Sequence, residues 1–113
     1  MRRTTKAFCA ALVLLFAGVS LAAGSLPAGT VQEGSLANQQ LIQDAMLGVA
    51  GKAATLGCKQ IDSYIPYVVA LPSGTPGSRV WRERWLVTCA GQAYPIEIRF
   101  NESGMGAADY SIE

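Results

Sequence analysis

The chain has 113 residues, of which 50% are hydrophobic and 15% charged, and its formal net charge is +1. That balance provides no basic surface of the kind that binds nucleic acid. It contains no histidine, which excludes a Ser-His-Asp triad and the usual zinc ligand sets.

Residues 1–22 are typical of a secretory signal peptide. A basic stub precedes an apolar run from Ala7 to Ala23, and small residues end that run. We place cleavage after Ala22, with Ala23 as the alternative. The run is at the short edge of the roughly 17–25 residues that span a bilayer, which favours a cleaved signal over an anchor. The mature protein is therefore expected in the periplasm or outside the cell, with no membrane attachment.

Cleavage changes both the cysteine count and the charge. Cys9 leaves with the signal, so Cys58 and Cys89 remain and predict one disulfide in an exported chain. The closed loop of about 32 residues corresponds to roughly 3–4 kcal/mol in the chain-entropy model. The two cysteines lack C-x-x-C spacing, which disfavours a redox role. Basic residues leave with the signal too, which gives the mature chain an acidic excess.

Residues 23–35 predict a flexible leader, because they are rich in glycine and show no periodicity. The next segment predicts an amphipathic helix with Ser35 as its N-cap and Gly57 as its stop signal. Its apolar stripe consists of Leu41, Ile42, Ala45, Met46 and Val49. Gly48 and Gly51 weaken this helix, and they mark either a bend or a close approach to a sheet.

Four strands follow the helix in the predicted order. Ser63–Leu71 is β-branched and aromatic, with Pro66 indicating an edge or a bulge. Pro72–Ser78 is a turn-rich loop, either a mobile connection or a recognition loop. Val80–Ala90 and Ala93–Phe100 alternate as the two strands of a hairpin, and residues 108–113 alternate as a last strand.

The charges select the register of the hairpin. A two-residue turn at Ala90–Gly91 places Arg84 opposite Glu97, whereas a four-residue loop places Arg84 opposite Arg99. Opposite charges across strands stabilise a sheet and like charges destabilise it, so we favour the tight turn.

These elements predict an α+β fold in residues 36–113, with one N-terminal helix packed on a four-stranded antiparallel meander. The disulfide would fix the helix end at Cys58 to the sheet at Cys89. The outline is similar to that of cystatin-type and other small periplasmic α+β folds, as an analogy of architecture alone.

The segment from Trp81 to Gly104 also carries a pattern, W-x-E-x-W-x-V…C-G. It resembles the C-terminal part of a family of small uncharacterised exported proteins of Gram-negative bacteria. The resemblance covers under a third of the mature chain, and Ala90 is inserted before Gly91. It implies periplasmic residence and brings no catalytic residue or ligand. The matching positions are Trp81, Glu83, Trp85, Val87 and Cys89.

Two candidate sites lie on the two faces of the hairpin. Glu83 is the one charged residue on the apolar face, between Trp81 and Trp85. Either it is half-exposed at an edge or accepts hydrogen bonds from backbone or an arginine, or it is a buried acid lining a pocket. The opposite face is either a solvated sheet surface or, with the Pro72–Ser78 loop, an interaction face for an acidic or polar partner. That face carries Arg82, Arg84, Glu97 and Arg99.

We therefore expect a non-enzymatic periplasmic or secreted protein-binding module, of inhibitor or immunity type, whose partner is another envelope or secreted protein. The alternative is a carrier of small apolar ligands, with a pocket between helix and sheet lined by Trp81, Trp85 and Met46. We expect no catalytic residue, metal or cofactor, and the sequence leaves the oligomeric state open.

Overall fold

The computed structural model describes residues 26–113, so the predicted signal peptide lies outside the described residues. Five antiparallel strands form one sheet in the order β1-β2-β3-β4-β5, and one helix packs on one of its faces. The α+β class is therefore confirmed. The elements are β1 (Gln32–Glu33), α1 (Gln39–Thr55), β2 (Ser63–Ser73), β3 (Val80–Cys89), β4 (Gln92–Glu102) and β5 (Ala108–Ile112).

The predicted strand count and helix position were wrong. The sheet has five strands, and the helix is the second element, in the middle of the chain. The additional strand, β1, lies in the segment predicted as a leader. Val31 N donates to Val68 O at 2.8 Å and Gly34 N donates to Pro66 O at 3.0 Å, which places this segment along β2. Two paired residues are too few to produce an alternating pattern, so contact with β2 decides this strand.

The helix begins later than its sequence indicates. Asn38 is the N-cap, in place of the predicted Ser35, and its side chain accepts a hydrogen bond from Leu41 N at 2.8 Å. Gly57 follows the helix with a φ of 104°, as its predicted stop role requires. The buried stripe consists of Leu41, Ala45, Val49 and Ala53.

Gly48 marks a close approach between helix and sheet. A Cβ atom at this position would lie 2.9 Å from Tyr110 Cε2 and 3.0 Å from Ile112 Cγ1. A side chain there would therefore push α1 away from β5. Gly51 differs, because no atom lies within 4 Å of its equivalent position. The close-approach interpretation holds for Gly48 alone.

The tight hairpin turn is confirmed. Trp85 pairs with Ile96 and Arg84 pairs with Glu97. Ala90 and Gly91 have φ angles of 50° and 80°, and two successive positive φ values are typical of a type I′ turn. A positive φ is unfavourable for alanine, which has a Cβ atom. Pairing of the two strands therefore outweighs the backbone preference of Ala90.

The core fills the space between α1 and the helix-facing side of the sheet. Trp81 stacks on Phe100 with ring centroids 5.0 Å apart, and Trp85 stacks on Tyr64 at 5.2 Å. The predicted Cys58–Cys89 disulfide is present, with a Cα–Cα distance of 5.7 Å. It joins the segment that follows α1 to the end of β3, and so fixes the helix over the sheet.

Candidate functional site

The most unusual side chain in the described structure is Glu83. It lies on the helix-facing side of β3, between the buried neighbours Val68 on β2 and Ile98 on β4. Its solvent exposure is 0%, and it is the one charged residue among the buried residues of the described structure. The alternation of β3 directs it there, because its neighbours two positions away, Trp81 and Trp85, belong to the core.

Three N–H groups satisfy the Glu83 carboxylate. Trp81 Nε1 donates to Oε2 at 2.9 Å, and Trp85 Nε1 donates to Oε1 at 2.8 Å. The third donor is Leu36 N, which bonds Oε2 at 2.9 Å from the segment that leads into α1. We call Glu83 and its donors Trp81, Trp85 and Leu36 the carboxylate cluster.

The carboxylate cluster relies on neutral donors. None of the ion pairs among residues 26–113 includes Glu83. Burial of a carboxylate is unfavourable unless hydrogen bonds replace its water, and a buried indole N–H also needs an acceptor. The W-x-E-x-W spacing meets both needs on one face of one strand. The cluster therefore anchors β3 to the entry of α1.

The structure brings the three predicted pocket residues together, but mainly as packed core. Trp85 and Glu83 are fully buried. Trp81 also borders a surface groove of about 340 Å³ beside the first turn of α1. Met46, the third residue expected to line the carrier pocket, is half-buried against the core. The groove is bordered by Leu36, Ala37, Asn38, Gln40, Leu41, Asp44, Trp81, Glu102, Gly106, Ala107 and Ala108.

The opposite side of the sheet, which we call the open face, carries the predicted arginines. Arg82 Nη2 bonds both carboxylate oxygens of Glu113, at 2.8 and 2.9 Å. Arg84 pairs with Glu97 and also donates to the carbonyl of Ala28 at 2.7 Å. Two of the arginines are thus neutralised within the molecule, and one of them holds the N-terminal segment on the open face.

Arg99 has a different setting on the same face. It lies directly opposite Arg82 in the register of β3 and β4, and no ion pair within residues 26–113 includes it. Like charges opposite each other destabilise a sheet, and the pairing of Arg82 with Glu113 reduces that effect. The free positive charge of the open face is therefore concentrated at Arg99.

A second carboxylate, Glu102, joins two loops at one end of the sheet. Its Oε1 accepts from Gly77 N at 2.9 Å, from Arg79 N at 3.0 Å and from Arg79 Nε at 3.0 Å, and its Oε2 accepts from Arg79 Nη2 at 2.8 Å. Gly104 N donates to Gly77 O at 2.9 Å. We call residues 74–79 and 103–107, joined in this way, the loop end.

The electrostatics of the loop end follow from this bonding. Hydrogen bonds from the Arg79 guanidinium and backbone lower the pKa of Glu102 to about 2. The hydrogen bond that the Arg79 side chain donates to the same carboxylate raises the pKa of Arg79. The pair therefore stays ionised across the physiological range, and the two loops stay connected.

Met105 projects from the loop end. Its side chain is 84% exposed, although its sulfur would lie 3.7 Å from a Cβ atom at Gly77. The sequence interpretation named the Pro72–Ser78 loop, but it missed Arg79, Glu102 and Met105. The sequence indicates this pairing only weakly, through one arginine and one glutamate that each lie directly beside a glycine-containing turn.

Other kinds of site find little support in the described residues. Across residues 26–113, no group of three or more Asp, Glu, Cys or His side chains is arranged to hold a metal ion. In the same part of the chain, no helix is long and apolar enough to cross a membrane. Comparison of the chain with protein-family models, with curated proteins and with solved structures finds no match.

Proposed function

We propose that this protein is a non-enzymatic binding module of inhibitor or immunity type, whose partner is another protein of the cell envelope or the extracellular space. The loop end carries the proposal. It presents the 84% exposed side chain of Met105 on two loops that Glu102 and Arg79 hold together.

Pre-organised loops suit recognition. Loops on a rigid scaffold commonly carry binding residues, and a loop that is already ordered loses less conformational entropy when it binds. The Glu102 carboxylate orders both loops through backbone and side-chain donors. A large flexible apolar side chain at the tip then fits a concave apolar pocket in a partner, as interface anchors do.

The rest of the fold supports this proposal over the carrier alternative. Trp85 and Glu83 occupy the space between helix and sheet, where a carrier needs a ligand cavity. The Cys58–Cys89 bond supports the exported location, because disulfides persist in oxidising compartments. On the open face, the internal ion pairs of Arg82 and Arg84 leave Arg99 as the arginine best placed to contact an acidic group.

The test compares two exposed apolar side chains in different regions. Met105→Gln alters the loop end, and Leu47→Gln alters a 75% exposed position on α1 and serves as the matched control. Oxidised protein without residues 1–22 is used to capture partners from the envelope fraction of the source cells. Each captured protein is then purified, and its dissociation constant is measured against both variants.

We expect Met105→Gln to weaken binding by about 1–2 kcal/mol, roughly five- to thirtyfold, as truncation of an interface anchor does. Leu47→Gln is expected to leave binding unchanged. If every captured protein binds the Met105→Gln variant as tightly as the wild type, the loop end is not the binding surface. If no protein is captured, a binding function of this type is contradicted.

A further inference from the structure

The two edges of the sheet are protected to different degrees. β2 has β1 along its edge, contains Pro66 and Pro72, and has register shifts between Val68 and Ser73. β5 pairs with β4 without a register shift and contains no proline. Within residues 26–113, no strand pairs with the other side of β5. Regular, unprotected edges are sites for strand addition.

The hydrogen bonds of β5 identify the groups that are free. Glu113 N donates to Glu97 O at 3.0 Å, and Ser103 N donates to Ala107 O at 3.0 Å. Bonded pairs in an antiparallel ladder recur every second residue. Residues 107, 109, 111 and 113 therefore direct their backbone groups toward β4. The free N–H and C=O groups of the edge belong to Ala108, Tyr110 and Ile112.

We propose that a second copy of this chain adds to this edge, with the two β5 strands antiparallel about a two-fold axis at Tyr110. This register is self-complementary. Tyr110 faces Tyr110 of the second copy, and Ala108 faces Ile112, so that every free N–H of the two strands meets a C=O. The product is a continuous ten-stranded sheet with both helices on the same side.

Side chains on the open face are compatible with this register. Asp109 of one copy lies opposite Ser111 of the other, because the positions on either side of Tyr110 exchange across the axis. No like charges meet directly. Registers shifted by one residue would leave free backbone groups without partners.

On the helix-facing side, the same register brings opposite charges together. Gly48 contacts Tyr110 and Ile112, so the middle of α1 lies against β5, beside the proposed axis and level with it. Asp44 and Lys52 are exposed, and each lies about one turn from Gly48. Antiparallel helices related by this axis place Asp44 of one copy near Lys52 of the other. This charge complementarity favours a second copy over an unrelated extended segment.

The first experiment measures mass by sedimentation from low micromolar to near-millimolar concentration. We expect the wild type to approach twice the monomer mass. Ala108→Pro removes a free N–H at the first position of the strand, where proline is tolerated, and should leave a folded monomer. Ser111→Pro removes an N–H that bonds to β4, and it should instead lower the melting temperature, which distinguishes loss of pairing from loss of folding.

Two further measurements keep the test decisive if Ala108→Pro does not fold. Amide exchange at Tyr110 should slow with protein concentration, while exchange at Ser111 should not change. Asp44→Lys should weaken association, and the double variant Asp44→Lys with Lys52→Asp should restore it.

Three results would overturn the proposal. One is a wild type that stays monomeric at every concentration. Another is a dimer in which Tyr110 exchange is independent of concentration, since that dimer uses another surface. The third is a sixth strand supplied by a different protein, which would show that the edge recognises a partner segment. None of these results bears on Met105, so the proposed binding function is tested separately.

Discussion

Two carboxylates connect distant parts of this chain, and they do so in opposite environments. Glu83, in the middle of the sheet, is fully buried and is bonded by two indole N–H groups and one backbone N–H. Glu102, at the loop end, is bonded by an arginine and by backbone N–H groups close to solvent.

The comparison shows that hydrogen-bond number alone does not set the importance of a polar group. Water is able to replace the partners of Glu102 if they are lost, whereas the Glu83 carboxylate is fully buried and both of its indole donors belong to buried core residues. The same chemical group therefore contributes to the stability of the whole fold at Glu83, but only to the order of the neighbouring loops at Glu102.

The largest effect is expected when the buried acceptor is removed. Glu83→Leu keeps a side chain of similar size but leaves Trp81 Nε1, Trp85 Nε1 and Leu36 N without an acceptor. We expect the free energy of unfolding to fall by about 3–5 kcal/mol, measured by urea denaturation. Glu97→Leu, on the open face, should change it by less than about 1 kcal/mol. Equal effects would remove the distinction between the two environments.

A second large effect on stability is expected from the disulfide, independently of the carboxylate cluster. Replacement of Cys58 and Cys89 by alanine should lower the free energy of unfolding by about 3–4 kcal/mol, because the unfolded chain regains its loop entropy. The native loop end lies away from this bond, so the amide spectrum of residues 103–107 should be unchanged. A change there would mean that the crosslink also supports the loop end.

A smaller effect tests how tightly the helix is seated. Gly48→Ala places a methyl group against Tyr110 and Ile112, and we expect a loss of about 1–3 kcal/mol from overpacking. Gly51→Ala meets no atom within 4 Å, so helix propensity should stabilise the protein by up to about 1 kcal/mol. Thermal denaturation of the two variants gives the comparison. Stabilisation by both substitutions would contradict the close approach.

The smallest effect is expected at the loop end. The pKa of Glu102 is lowered from 4.5 to about 2. Its contribution to stability is therefore present above the unfolded value and is lost as pH falls through about 2. The carboxyl carbon of Glu102 should titrate with a midpoint near 2 in nuclear magnetic resonance spectra. Glu102→Gln should reduce the loss of stability between pH 4.5 and 2, and a midpoint near 4.5 would contradict the ion pair.

The sequence predicted the parts of the fold that repeat along the chain. Alternation and opposite charges placed Arg84 opposite Glu97, and cysteine counting predicted the Cys58–Cys89 bond. The sequence did not predict β1, since its two residues become a strand only through contact with β2. The sequence also predicted Ser35 as the N-cap, whereas Asn38 is the N-cap. Serine and asparagine are equally good caps, and the hydrogen bond from Leu36 N to Glu83, which local sequence does not show, lies between them.

The candidate site shows the same limit. The W-x-E-x-W pattern indicated that Glu83 shares a face with Trp81 and Trp85, and one proposed role was to accept hydrogen bonds. The donors were expected to be backbone groups or an arginine. The two indole donors were not predicted, although both lie within the pattern, and the backbone donor, Leu36 N, is distant in sequence. The pairing of Arg79 with Glu102 likewise depends on two loops meeting in space, for which no local pattern exists.

The sharing of one acceptor by both indoles has a consequence for spectroscopy. The chain contains two tryptophans, and both donate to Glu83. Its tryptophan fluorescence therefore comes from a single region of the molecule. The emission spectrum will change when the carboxylate cluster opens, including when Leu36 detaches. It will not change when only the loop end loses its structure. A protein that seems fully native by fluorescence can thus have lost the order of its outer loops.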